Sequence, residues 1–243
     1  MKLFLFLITT TVSFGQGYQF WFPASGFDTN DNSAVAIWDA SDLNSPGSRV
    51  VAWKSRRNGF QLNSLEDTPS VRQPIYTNST ALRGNGYVIF DGVSNIMRET
   101  SINVPQPTTH ICVFRYNPNG SWRYIIDSTN SAQRQTVLTM TDGRIDIDAG
   151  SGLDTYSKAL KTNTWMVCEI CFNGASTYIK TNTVEVLRSS APGTCGLYGL
   201  TLGARYTLVG PGKFDLTWYG IYTNLTEQAA SNKVTMLRAR FGI

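Results

Sequence analysis

Leu202-Gly203-Ala204-Arg205, then Phe214-Asp215-Leu216-Thr217-Trp218-Tyr219-Gly220-Ile221-Tyr222, then Leu225-Thr226-Glu227 and a terminal Phe241-Gly242-Ile243 form the stretch that decides the fold. Residues 214–222 read as a strand, rich in the aromatic and β-branched residues that suit one. Behind it, Thr226 is a good helix N-cap, and Glu227 favours the positive end of a helix. Leu225 is placed to pack on Ala230 as a staple. Ala230, Val234, Leu237 and Phe241 recur at helical spacing and make one apolar face. Lys233, Arg238 and Arg240 lie toward the negative end, and Gly242 is a natural C-cap. The sequence therefore predicts a strand feeding one short terminal helix that closes the sandwich and carries no chemistry.

Upstream, short strand-like runs alternate with turn residues. They are Ala34 to Asp39, Val50 to Trp53, Gly86 to Asp91, Thr109 to Tyr116, Trp122 to Asp127, Thr136 to Met140, Arg144 to Ile147, Met166 to Phe172 and Leu197 to Leu202. Thr177 to Lys180 and Val184 to Leu187 flank Thr181-Asn182-Thr183 and read as a hairpin. Strands at this spacing argue for an antiparallel sandwich or barrel. No internal period points to repeats.

Composition narrows the class. The chain has 243 residues, which suits one large all-β domain. Charged residues make up 16%, so Ser, Thr, Asn and Gln must supply much of the polar surface, as in extracellular β-proteins. The net charge of +4 is scattered, with Lys54-Ser55-Arg56-Arg57 the densest cluster. No basic stripe indicates a nucleic-acid partner. Met1-Lys2, the apolar Leu3 to Ile8 and the small Ser13 and Gly15 fit a secretory leader over 1–15, too short to span a membrane. The alternative reading is a first strand or arm, which would suit a virion protein assembled in a cytoplasm. A single domain is expected over 16–243.

The four cysteines are Cys112, Cys168, Cys171 and Cys195. In an exported chain they allow two disulfides in three connectivities. Cys168 and Cys171 are three apart on a strand and face opposite sides, so they do not pair with each other. A zinc site needs a second pair of ligands, and His110 is the only histidine. Buried free thiols are the expectation.

With these segments in order, the chain resembles the concanavalin A-like, laminin-G-type jelly rolls of secreted bacterial proteins and phage virions. The resemblance rests on Ile37-Trp38-Asp39-Ala40-Ser41-Asp42-Leu43, on Val50 to Gly59 with its Asn58-Gly59 turn, on Arg72-Gln73-Pro74-Ile75-Tyr76, on Val88-Ile89-Phe90-Asp91-Gly92-Val93-Ser94-Asn95, and on the ending quoted above. It covers roughly Ser33 to Ile243. It implies an all-β antiparallel jelly-roll sandwich with one short C-terminal helix. The chain departs from the pattern at the inserted Val93 and at Arg56-Arg57. The residues carry a structural reading of their own. Trp38 and Trp53 need partners for their ring N–H groups. Asp39, Asp42, Asp91 and Asn95 can brace turns by accepting backbone N–H groups.

Because the resembled fold also hosts glucanases, catalysis needs its own test. Retaining glycoside hydrolysis needs two carboxylates ~5–5.5 Å apart. The family's Glu-x-Asp-x-x-Glu run is missing, and Glu66, Glu99, Glu169, Glu185 and Glu227 have no such spacing. Asp146 and Asp148 do share a strand face, which reads as a solvated one. Serine-type chemistry would need His110 as base, and a lone histidine at a strand start reads as structural. Calcium needs several converging oxygens. Asp142, Asp146, Asp148 and Asp154 are the local concentration of acids; otherwise no cofactor, metal ligand or catalytic residue is expected.

The candidate ligand-binding residues are Trp122, Arg123, Tyr124, Asp154, Tyr156 and Tyr206, on loops that flank rigid strands. Sugar rings stack on exposed aromatic faces, and planar polar groups bond hydroxyls. In the competing reading Trp122 and Tyr124 pack inward. The expected function is a non-catalytic recognition or adhesion module, secreted, on a cell surface or on a virion, with a glycan or surface protein as partner and no membrane span. The alternatives are a structural virion protein, such as a decoration or fibre subunit meeting other virion proteins or its own copies, and a glycoside hydrolase. Asn78, Asn119 and Asn224 open Asn-x-Ser/Thr triplets, which matter only in a glycosylating host.

Overall fold

A computed structural model describes residues 31–65, 72–120, 122–152, 154–156, 160–189 and 192–243, with backbone alone at 154–156 and 189. The expected leader at 1–15 lies outside the described residues. The strands in chain order are β1 (Ala34–Asp39), β2 (Ala52–Lys54), β3 (Gln61–Ser64), β4 (Ile75–Asn78), β5 (Gly86–Asp91), β6 (Met97–Val104), β7 (Thr108–Tyr116) and β8 (Arg123–Asp127). They continue as β9 (Thr136–Thr139), β10 (Ile145–Asp148), β11 (Asp154–Tyr156), β12 (Trp165–Phe172), β13 (Thr177–Thr181), β14 (Val184–Ser189), β15 (Leu197–Leu202) and β16 (Lys213–Thr223). One α-helix, α1 (Glu227–Phe241), follows.

The strands form two antiparallel sheets. The first runs β14-β13-β12-β7-β16-β5-β4, and β1 also pairs with β16. The second runs β11-β10-β9-β8-β15-β6-β3-β2. The segment at 214–222 lies in β16, which is central to the first sheet. It pairs with β7 along its length, with β5 through Lys213 to Leu216, and with β1 through Trp218 to Tyr222. Alternate residues of both sheets meet in one core that includes Trp38, Trp53, Phe90, Phe114, Ile147, Leu200 and Phe214. Phe90 and Phe214 stack at 4.4 Å. Each fully buried ring of this kind contributes about 1.5–3 kcal/mol relative to exposure.

The helix has the predicted start, face and end. Thr226 Oγ1 accepts from Ala229 N at 3.3 Å, and Gly242 caps the C-terminus in the left-handed region at φ 74°. Ala230, Val234, Leu237 and Phe241 are buried. The helix does not seal the gap between the sheets, however. It covers the outer face of the first sheet, packing with Ile37, Ile111, Val113, Val167 and Trp218. These strands are apolar on both faces, so a third layer is required to keep them from water. Lys180 Nζ and Arg188 Nη2 donate to Glu227 Oε1 at 2.6 and 3.0 Å and hold the helix start on β13 and β14.

The opening motif is braced as the residues require. Trp38 Nε1 donates to Trp53 O at 2.9 Å, and Trp53 Nε1 donates to Asp39 O at 3.2 Å. Asp39 Oδ1 accepts from Ser41 N. Arg56 bridges Asp39 and Asp42 at 2.9 and 2.7 Å, which gives the departure at Arg56-Arg57 a structural use. Asp91 Oδ1 accepts from the N–H groups of Val93, Ser94 and Asn95, and the inserted Val93 points to solvent. The Cys112, Cys168 and Cys171 thiols are buried and Cys195 is half-buried; all four are free. Cys168 lies in the sandwich core opposite Cys112.

Candidate functional site

Four of the six predicted residues come together at one end of the second sheet. Trp122 precedes β8, Arg123 and Tyr124 open it, and Tyr206 lies in the connection from β15 to β16. The two segments run side by side. Tyr124 N donates to Gly210 O at 3.0 Å, and Tyr124 bridges Pro211 in parallel. Gly210 has φ +60°, and a Cβ there would stand 2.9 Å from Trp122 O, so glycine permits the close approach. Trp122 itself sits at φ 58°, a left-handed conformation uncommon for an aromatic residue. Its ring does not pack inward: Trp122 is 47% exposed.

Tyr124 lies on the face of the second sheet turned away from the core. Leu138 on β9 and Asp146 on β10 continue that row, while Ile145 and Ile147 enter the core. The centre of this face is a residue the sequence reading did not select, Arg134, from the connection between β8 and β9. Its guanidinium carbon stands 5.7 Å from the Tyr124 ring centroid and 5.4 Å from that of Tyr206, within cation–π range. Arg205 stands 5.2 Å from the Tyr206 ring. The two tyrosines and two arginines thus form one stacked array.

Asp127 anchors the array and is fully buried. Its Oδ1 accepts from Arg134 Nε at 2.8 Å, Thr136 Oγ1 at 2.7 Å and Ser128 N at 2.9 Å. Its Oδ2 accepts from Arg134 Nη2 at 3.1 Å and Tyr206 N at 2.9 Å. Burial opposes the Arg134 charge, but the Asp127 carboxylate outweighs it and holds the guanidinium above its ordinary pKa. Arg98 donates to Tyr206 O at 2.7 Å and Thr201 Oγ1 at 3.1 Å. Its pKa is lowered by burial, despite the Asp127 charge. A carboxylate that fixes an arginine against two aromatic rings leaves planar donors and ring surface in a rigid frame, which suits recognition of a polar ligand.

Arg123 sits at this end of the sheet but turns to its own loop rather than to the array. Arg123 Nη2 reaches back to Asn119 O at 3.5 Å and packs against Gly120, bracing its own loop. The backbones of Asp154 and Tyr156 pair with Ile147 and Ile145, the core-facing positions of β10. Thr155, not these two, is in register with Asp146 on the face that carries Tyr124. Their side chains lie outside the described residues. The reading of Asp146 and Asp148 as a solvated face is corrected: Asp146 is fully buried and Asp148 is 8% exposed. Asp148 Oδ1 accepts from Gly150 N and Gly152 N at 2.8 and 3.2 Å, and Arg134 lies 3.8 Å from Oδ2. Asp142 pairs with Arg144. Among the described residues, no group of three or more His, Cys, Asp or Glu side chains could hold a metal ion. His110 is buried between Tyr219 OH at 2.6 Å and Gln135 Oε1 at 2.9 Å.

No protein-family model matches the chain, and no curated protein matches it. Solved structures share its fold. Domain 4 of AbnA, a GH43 extracellular arabinanase from Geobacillus stearothermophilus, aligns with TM-score 0.59 and 10% identity over 83% of this chain and 98% of that domain. The binding domain of botulinum neurotoxin serotype D aligns with TM-score 0.59 and 10% identity over 84% of this chain and 52% of the neurotoxin domain. A Trypanosoma rangeli sialidase aligns with TM-score 0.56 and 8% identity over 89% of this chain and 35% of the sialidase. The chain is therefore similar to one whole domain and to parts of two longer proteins, and what it shares with them is the β-sandwich. Among the described residues, no helix is long and apolar enough to cross a membrane.

Proposed function

We propose that the chain is a non-catalytic recognition module, secreted or displayed on a cell surface or virion, that binds a glycan on the outer face of its second sheet. The carrying observation is the joining of Tyr124 and Tyr206 through Arg134 and the buried Asp127, beside the exposed ring of Trp122. Trp122 offers an open ring to the apolar face of a sugar. Arg205, against the Tyr206 ring, and the tyrosine hydroxyls supply hydrogen-bonding groups, while Arg134 holds the frame. The module needs no cofactor for this work. The AbnA domain, matched almost end to end, is in complex with arabinotriose, which supports the same reading here. The state of Asp148 also supports a binding role. Its carboxylate is committed to two backbone N–H groups and does not stand free as a general acid or nucleophile.

A glycan array probed with the full chain tests the proposal. Wild type should retain a defined subset of glycans, and Trp122→Ala should lower retention about tenfold with an unchanged melting temperature, because sugar–aromatic stacking removed at an exposed ring costs affinity and little stability. Retention of no glycan, or full retention by the variant, would overturn the proposal. Release of reducing sugar from a polysaccharide panel would overturn the non-catalytic part.

A further inference from the structure

A second region of the molecule has the chemistry of a ligand site and shares no lining residue with the Tyr206 face. It is a cavity of about 740 Å³ at the end of the sandwich. That volume lies in the range of ligand pockets. Its walls come from four separate stretches: the end of β6 and the connection to β7, the β8–β9 connection, the turn after β12, and residues 192–196.

The lining is uncharged. Asn103, Gln133, Asn173 and Thr194 supply side chains that are exposed and make no hydrogen bond within the described residues. Val104, Pro105 and Ala132 supply apolar surface between them. A carboxylate or phosphate ligand would require a cation here, and a greasy ligand would require continuous apolar walls. Alternating amides and apolar patches suit a ring that carries hydroxyls on its rim and C–H groups on its faces. Tyr198, beside the lining through its partner Asn103 rather than part of it, adds a surface for such a ring. It is 39% exposed and directly opposite Asn103 in the β15–β6 register, so the two share a face of the sheet.

The cavity floor is held in place from below. Gln106 Nε2 donates to Gly193 O and Cys195 O at 3.2 and 2.9 Å, and its Oε1 accepts from Gly174 N at 2.7 Å. Gln135 Nε2 donates to Thr108 Oγ1 and Cys195 O at 2.9 and 3.1 Å, and its Oε1 meets His110 Nε2. Two glutamine amides thus tie all four wall-forming stretches together, and Gln135 joins them to β7. The side chains left over at the mouth are free for a ligand, while those beneath are committed to shape. A site divided in this way is preorganised.

We propose that this cavity is a second binding site, selective for an uncharged sugar ring, with Asn103 and Asn173 bonding hydroxyls and Tyr198 stacking on the ring. The proposal does not rest on the Tyr206 face, and its test keeps the two apart. Saturation-transfer NMR on the full chain would use lactose, cellotriose, arabinotriose and, as a charged comparison, galacturonate. Transfer to at least one neutral probe is expected. The Asn103→Ala/Asn173→Ala double variant should weaken that probe about tenfold, the loss of two neutral hydrogen bonds. Both positions are exposed and make no described internal side-chain bonds, so a thermal melt should match wild type. Retention of the probe by Tyr206→Ala alongside its loss from the double variant supports the cavity. No response to any neutral probe, a response confined to galacturonate, or full binding by the double variant would overturn it.

Discussion

Replacing Asp127 with Asn is the most searching perturbation, because one buried carboxylate holds both the sheet and the candidate site. Asn keeps the volume and one carbonyl acceptor. It can still serve Ser128 N and Thr136 Oγ1, which Asp127 Oδ1 serves now. It cannot neutralise Arg134, whose side chain is 13% exposed. Its NH2 group must also face Arg134 Nη2 or Tyr206 N, where the native Oδ2 accepts from both. Removing one partner of a buried ion pair costs about 3–5 kcal/mol. The retained acceptor places this case at the lower end, about 3 kcal/mol, or a melting-temperature fall of about 6–12 °C for a domain of this size. The control is Asp42→Asn, which breaks the Arg56 pair at a side chain that is 37% exposed. Surface pairs of that kind contribute about 0–1 kcal/mol. Thermal unfolding of both variants beside wild type measures the difference. A double-mutant cycle with Arg134→Met then separates loss of the pair from the isolated burial of Arg134, since the double variant should recover part of the loss. Equal melting temperatures for the Asp127 and Asp42 variants would refute the anchoring argument.

Two further outcomes follow from the fold. Burial pushes the His110 pKa down from 6.5 to about 4, against the opposing bond from Gln135, so the native state keeps this histidine neutral while the unfolded chain binds a proton. Stability contributed by the neutral ring is fully present above about pH 6.5, falls as pH drops toward 4, and loses about 3 kcal/mol across that window; urea titrations at several pH values should show this slope in wild type and not in His110→Gln. Thr226→Ala removes the N-cap acceptor of Ala229 N and should cost about 1 kcal/mol, a melting shift of about 2–4 °C by circular dichroism, whereas no shift would show that the cap is idle.

The sequence shows much of the frame and only part of the site, for physical reasons that differ from element to element. β7 and β12 are long and apolar on both faces, so their residues announce strands without help from context. The hairpin at Thr181-Asn182-Thr183 is readable because Asn182 takes a left-handed φ of 50° at the turn. β3 is short, and Leu62 is its one apolar residue, so its alternating burial has no apolar pattern to show in the sequence. β6 escapes for another reason. Its register with β15 shifts opposite Gly199, so Met97, Ile102 and Val104 do not keep a single alternating phase. A bulge of this kind hides a strand from any period-two search. Trp122, Tyr124 and Tyr206 are visible as aromatic residues on turn-rich segments, but Arg134 lies in Ser131-Ala132-Gln133-Arg134-Gln135, which carries no motif. Its role exists only after β8 and β9 pair and the connection from β15 folds over them.

The burial of Asp146 and Asp148 comes from the same cause, and it bears on function. Two alternating acids on a strand look solvated when the strand is read alone. In the folded chain Asp148 is drawn into the turn at Gly150 and Gly152 and lies within reach of Arg134. Arg134 in turn is fixed by Asp127, and Asp127 holds Tyr206 N. The β8–β9 connection therefore has two outputs from neighbouring residues: Arg134 organises the charged, aromatic face, and Gln133 enters the neutral cavity beyond it. Because Arg134 is paired on both sides by carboxylates, its charge is balanced inside the protein. That division is what lets one small sandwich present two surfaces of unlike polarity. It also makes a sharp demand on experiment: Arg134→Met should disturb ligands of the Tyr206 face while leaving neutral-probe binding in the cavity intact, and joint loss of both would show that they are one site.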